Sequence, residues 1–200
     1  SCWEYVNSAY SYFSHRRLIR IGMLREYQIA ICARVREALL KHRSVMVQMP
    51  TGTGKTLVLA SLVKDSLSAR GQGCGILIVA HRRELIEQIK ATIKRMGIDN
   101  KRIVVESIQT VSRRMQASSD KGVQCSSFSL IVIDEAHHAL AKTYRSLWEV
   151  WPKAKFLGLT ATPWRMSGDG FTDLFDVLVE SQGIKRFIAD GWLCPYDYFA

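Results

Sequence analysis

The stretch Met49-Pro50-Thr51-Gly52-Thr53-Gly54-Lys55-Thr56 constrains this chain more than any other feature. It lies between a strand-like apolar run, Val45-Met46-Val47, and a helix-like one, Leu57-Val58-Leu59-Ala60. Gly52 and Gly54 allow left-handed dihedrals that turn successive backbone N–H groups toward one anion, and a helix opening at Gly54 adds its N-terminal donors and dipole. Strand, turn and helix together make a phosphate cradle. Lys55 is then placed to reach β- and γ-phosphates, and Thr56 offers a hydroxyl to a bridging Mg²⁺. The pattern G-x-x-x-x-G-K-[ST] asks for a small residue where Met49 stands. The alternative is a glycine-rich turn with an incidental lysine; the strand before, the helix after and the threonine following the lysine weigh against it.

Strand and helix patterns alternate along the chain. Ser44 to Gln48 reads as a strand, Gly54 to Ala69 as a helix and Gly75 to Val79 as a second buried strand. Arg82 to Met96 reads as a helix with Leu85, Ile86, Ile89 and Ile93 on one face. Arg102 to Val105 reads as a third strand, followed by a helix through Val111 to Met115 and a polar loop over Asp120 to Ser127. Phe128 to Ile133 is a strand ending on acids, and Phe156 to Leu159 one ending on threonines. This order predicts an α/β fold, a parallel sheet flanked by helices on both faces, with ligands gathered past the strands' carboxyl ends. Thr51 to Thr56, Asp134, Glu135 and Thr160 are expected together on that edge. Residues 1–22 lack a clear period, and a helix with its own start opens at Met23. The extension is either upstream of a natural initiator at Met23 or an extra N-terminal helix.

A length of 200 residues with 48% hydrophobic composition suits one substantial core. The longest apolar runs fall far short of the roughly 20 residues that cross a bilayer, and the N-terminus has no apolar signal core. The expectation is therefore a soluble, cytoplasmic protein with no membrane partner. Five cysteines occur singly, without a C-x-x-C pair, which argues against a disulfide framework or a zinc knuckle. The net charge is +10, and residues 1–100 carry 16 Lys and Arg against 7 Asp and Glu, whereas residues 101–200 carry 12 against 11. So one-sided a basic field fits a polyanionic partner such as nucleic acid, with solubility alone an equal reading of the charge.

Asp134-Glu135-Ala136-His137 follows the apolar strand. An Asp at a strand end beside a phosphate loop can hold Mg²⁺ through water, and the adjacent Glu can polarise an attacking water. His137 is placed to sense the γ-phosphate's surroundings. Alone, the four residues also suit a helix start with acids near its dipole. The glycine loop upstream tips the balance toward a hydrolase.

The glycine loop, this DEAH stretch and Leu159-Thr160-Ala161-Thr162-Pro163 stand in the order found in superfamily 2 DEAD/DEAH-box helicases. From about residue 23 to 200 the chain resembles the N-terminal RecA-like motor domain of that superfamily, a P-loop NTPase fold. Arg25-Glu26-Tyr27-Gln28 resembles the upstream glutamine motif, with Glu26 in place of the usual proline. Ala80 to Leu85 and Ser107 to Thr110 resemble two strand-binding motifs. DEAHH, TATPWR and the closing GWLCPYDYFA resemble the restriction-subunit-like and RadD-like branch. On this resemblance, residues 23–190 are the ATP-binding domain, and 191–200 open a linker to a second RecA-like domain.

The resemblance also implies roles. Thr51, Gly52, Thr53, Gly54, Lys55 and Thr56 would bind the phosphates, Thr56 and Asp134 the Mg²⁺ that comes with ATP, and Arg25 and Gln28 the adenine. Glu135 would act on the hydrolytic water. Thr160 and Thr162 would link nucleotide state to strand contact through His137. Arg82, Arg83, Gln109 and Thr110 would touch a nucleic-acid backbone, where contacts set register without reading sequence. Each weaker motif has a plainer reading: Arg82 and Arg83 as a solvated first turn, Thr160 and Thr162 as strand formers, Gln28 as a surface helix residue. Trp148 and Trp151 are expected in the core; Trp164, beside Arg165, is as suited to stacking on a base. His15 and His138 have no ligand-like spacing.

The expected function is that of a motor domain coupling ATP hydrolysis to DNA, less readily RNA, unwinding or translocation. The alternatives are a nucleotide-regulated binding module without motor activity, or the motor subunit of a restriction endonuclease. No second glycine-rich or arginine-finger-like motif follows Thr162, so the isolated chain is expected to hydrolyse ATP feebly or not at all. Nothing in the sequence sets an oligomeric state.

Overall fold

The structure is a computed structural model that describes residues 24–69, 75–98, 101–121, 127–136, 142–162 and 174–194, with backbone alone at 69, 118–121 and 142. Residues 1–22, Met23, His137, His138, Trp164 and 195–200 lie outside the described residues.

Runs of apolar residues bounded by polar turns form six strands: β1 (Ser44–Gln48), β2 (Gly75–Ala80), β3 (Ile103–Ser107), β4 (Phe128–Asp134), β5 (Lys155–Thr160) and β6 (Val177–Glu180). They make one parallel sheet in the order β3-β2-β4-β5-β1-β6. Between them run α1 (Glu26–Lys41), α2 (Lys55–Ala69), α3 (Arg83–Arg95), α4 (Ile108–Lys121), α5 (Lys142–Val150) and α6 (Ile184–Ala189).

Parallel strands with helices on both faces must be apolar on both, and the period of two sorts their side chains. Val45, Val47, Ile76, Ile78, Leu130, Val132, Leu157 and Leu159 pack with α1, α2 and α3 residues such as Val35, Leu62 and Ile89. On the other face Met46, Leu77, Val79, Ile131, Ile133 and Phe156 pack with Ile108, Val111, Tyr144 and Leu147 of α4 and α5. The α/β fold with a parallel sheet and helices on both faces is the one expected. Trp151 is buried, and Trp148 stacks on Phe156 at 4.0 Å between ring centroids while its indole N–H donates to Ser44 Oγ at 3.0 Å, so both tryptophans serve the core. Buried Cys32 does too: burial pushes its thiol up to about 12.

Some boundaries differ from expectation for physical reasons. The helix after the glycine loop opens at Lys55, since Gly54 has φ +79° and cannot be helical. α4 runs on to Lys121 and takes the first residues assigned to the polar loop. β6 was not foreseen, because its four residues, VLVE, are too short for a period to show.

Gly158 marks the tightest point of the sheet. A Cβ there would lie 2.7 Å from Ala136 Cβ, 2.8 Å from Phe175 Cζ and 2.9 Å from Met46 Sδ. Overpacking a filled core costs roughly 1–3 kcal/mol. Gly158→Val is therefore expected to lower unfolding stability by about 3 kcal/mol, read as a reduced urea midpoint; an unchanged midpoint would show that this packing is not as tight as described.

Candidate functional site

β1 delivers the chain to the glycine loop, and the loop is pinned from three sides. Met49 N–H donates to Thr160 O at 2.9 Å on neighbouring β5. Thr53 is buried, and its hydroxyl donates to Pro50 O at 2.6 Å. The Thr53 carbonyl accepts from both Tyr27 Oη and Gln28 Nε2, each at 2.9 Å, from the first turn of α1. Gly52 and Gly54 have φ +83° and +79°, the left-handed geometry that the cradle requires. At Gly54 a Cβ would also strike Gln28 Nε2 at 2.4 Å. Met49 stands where the pattern asks for a small residue because its side chain is fully buried in the core cluster beside Val47.

Gln28 does two structural jobs. Its Nε2 braces the loop, while its Oε1 accepts from Arg25 N–H at 2.9 Å and caps α1. It is 2% exposed.

Lys55 is half-buried at the start of α2, with Gly54 and Thr56 beside it, and Thr51 and Gly52 are exposed. Burial holds its ammonium below the ordinary lysine value, partly offset by the charges of Asp134 and Glu135. Asp134 is 6% exposed; burial pushes its carboxyl up, against the Glu135 N–H that it accepts at 3.0 Å and the Lys55 charge. β4 and β1 are separated by β5 alone, two spacings of about 4.8 Å. The fold thus brings a cation and two carboxylates to one place from strands far apart in sequence.

Glu135 carries a feature that no sequence pattern marks. Its φ is +52°, the only positive value at a non-glycine among the described residues, at a cost of about 1–2 kcal/mol. The chain leaves β4 sharply there, and the strain falls on the candidate catalytic acid. Tyr144, in the first turn of α5, was also missed. It is 3% exposed, its hydroxyl has no hydrogen-bond partner among the described residues, and burial, then the charges of Glu135 and Asp134, push it up to about 12.

The remaining candidates line the same edge. Thr160 is fully buried at the end of β5, and its Oγ1 accepts from Thr162 N–H at 3.1 Å. Arg82 and Arg83 are exposed just past β2. Gln109 is exposed in the first turn of α4, where Thr110 N–H donates to Ser107 Oγ at 3.1 Å. From β3 to β1 the edge therefore runs from exposed cations and amides, through the acids and threonines, to the glycine loop. His137 lies outside the described residues.

These groups fit a magnesium-bound nucleoside triphosphate. Among the described residues no three His, Cys, Asp or Glu cluster as a metal site. A hard dication at Asp134 and Thr56 would complete its oxygen shell from phosphate and water, which is how Mg²⁺ is commonly held.

The family model for DEAD/DEAH box helicases matches residues 29–167. The chain belongs to the DEAD/DEAH box helicase family. Among relatives of this helicase domain, IRC3 of Saccharomyces cerevisiae, provisionally named an ATP-dependent helicase, is 31% identical over 90% of the chain and 29% of its own length. The DNA 3'-5' translocase XPB2 of Sulfurisphaera tokodaii is 31% identical over 78% of the chain and 34% of its own length. The chain thus spans about a third of the length of the curated relatives it matches. The Pyrococcus furiosus Hef helicase domain superposes with a TM-score of 0.62 at 22% identity, covering 82% of this chain and 39% of that one; at that identity the likeness is one of fold.

Proposed function

We propose that this helicase domain binds MgATP at the glycine loop and, within a longer protein holding a second RecA-like domain, couples its hydrolysis to movement along DNA. The convergence of Lys55, Asp134 and Glu135 across β5 carries the reading, since a lysine beside a glycine cradle facing two acids suits phosphoryl transfer. Gly52, Thr53, Gly54 and Lys55 would hold the phosphates, Thr56 and Asp134 the Mg²⁺, and Glu135 would orient and deprotonate water. A bound Mg²⁺ would neutralise charge on the phosphates. Arg82, Arg83, Gln109 and Thr110 would grip a nucleic-acid backbone, and Thr160, whose carbonyl accepts from Met49 N–H and whose hydroxyl accepts from Thr162 N–H, would couple that grip to the loop. DNA is favoured over RNA by the DNA translocase among the relatives.

The test is the steady-state ATPase of the full-length protein without polymer and with single-stranded DNA, duplex DNA or RNA. Stimulation of at least tenfold by one DNA form is expected. Stimulation by RNA alone would move the track to RNA. Nucleotide binding with no stimulated turnover would instead support a nucleotide-regulated binding module.

A further inference from the structure

The sheet ends at β3, which pairs with β2 on one side and, among the described residues, with no strand on the other. Ile76 N–H donates to Arg102 O at 2.8 Å, and the parallel register, from Ile76 opposite Ile103 to Ala80 opposite Ser107, carries that pattern along the strand. The main-chain groups of Val104 and Glu106 therefore face β2, while those of Ile103 and Val105 face outward. β3 contains no proline, and its register with β2 is unbroken, so neither of those devices blunts the edge. Three strands separate it from β1, which places this edge well away from the glycine loop.

Beside the edge lies a cleft of about 400 Å³ between β3 and α3. Ile93, Ile103 and Val105 make it apolar within, and the short side chain of exposed Ala91 stands in its wall. Its charged lining is Glu87, Lys90 and Lys94, all exposed. Glu87 lies 3.5 Å from Lys90, whereas Lys94 has no carboxylate partner among the described residues.

Outward N–H and C=O groups repeating at strand spacing are matched by another extended chain. A strand added there would turn alternate side chains to the layer of Ile103 and Val105, where the cleft receives them. Charge narrows the occupant further. Two lysines line the cleft against one glutamate, and the whole chain carries +10, so a second copy would bring like charge to the same place. Residues 1–22, with Arg16, Arg17 and Arg20 against Glu4, are the wrong sign as well. We propose that the outer edge of β3 and its cleft dock an extended segment of a partner protein, apolar at alternate positions and flanked by acids, which adds a strand to the sheet.

The test is fluorescence anisotropy of the full-length protein with a labelled probe peptide, Glu-Thr-Val-Thr-Val-Thr-Glu, whose valines and glutamates share one strand face. The control replaces both glutamates by lysine. The acidic probe is expected to bind at least about tenfold more tightly than the control. Lys94→Glu should weaken the acidic probe about tenfold and strengthen the lysine one, a reversal that misfolding cannot produce. Ala91→Arg should fill the cleft and abolish acidic-probe binding. Both variants are expected to keep the wild-type urea midpoint, since both positions are exposed on α3. Hydrogen exchange read by mass spectrometry should slow in the segment holding Ile103 and Val105 when the acidic probe binds. Wild-type protein failing to bind the acidic probe, equal binding of the two probes, or binding without slowed exchange in β3 would each overturn the proposal. Displacement of the probe by single-stranded DNA would overturn it too, and would assign the lysines to a nucleic-acid backbone.

Discussion

Lys55→Ala is expected to weaken MgATP binding by at least about 100-fold while leaving the folded domain intact. The ammonium is partly desolvated, so folding gains little from it; burial holds it below its ordinary value even with Asp134 and Glu135 nearby. Removing one member of a buried charge pair costs about 3–5 kcal/mol in the state where the other is left unpaired. In the nucleotide complex the abandoned charges are the phosphates and two carboxylates, and at 1.4 kcal/mol per tenfold that cost corresponds to about 100- to 4000-fold in affinity. In the free domain only Asp134 and Glu135 lose a partner, and Asp134 can respond by taking up a proton, since its carboxyl is already pushed up by burial. Titration calorimetry reads the first effect and a urea melt the second. Unchanged nucleotide affinity would remove the phosphate-loop reading altogether.

What was legible in the sequence, and what was not, follows from how far apart the interacting residues lie. β1, β2, β4 and β5 were readable because each is an unbroken apolar run closed by a polar turn, and that alternation with helices dictates a parallel sheet. The glycine loop was readable because its chemistry is contiguous. The contacts that shape the loop from outside were not: Tyr27 and Gln28 reach Thr53 from another helix, and Leu193 reaches Gly52 from nearly the other end of the chain. Met49 looked like a departure from the pattern and is a core residue, because the loop leaves β1 with that side chain still pointing into the sheet's packing. Trp148 and Trp151, at helical spacing after an amphipathic stretch, were placed in the core by pattern alone, whereas Trp192 shows no pattern, and its neighbours are set by tertiary structure. The positive φ of Glu135 lies in the same class, since only the exit from β4 demands it.

Glu135→Gln is expected to keep MgATP affinity within about threefold and to lower turnover of the full-length protein by about 1000-fold, the range in which a positioned general base acts. The change is isosteric and removes one charge. Glutamine meets the same backbone strain at φ +52°, so the path out of β4 is preserved and the loss can be assigned to the carboxylate. Removing that charge also relieves Asp134, whose carboxyl Glu135 helps to push up, which favours nucleotide retention over its loss. Tyr144 cannot take over as base: burial and both acids push its hydroxyl up to about 12, so it stays protonated at neutral pH. Asp134 is the other carboxylate of the site, and if it held the Mg²⁺ it would be a poor proton acceptor. Single-turnover hydrolysis in the presence of the stimulating polymer separates the outcomes: retained binding with lost chemistry assigns the water to Glu135, whereas surviving turnover would assign it to a group outside the described residues.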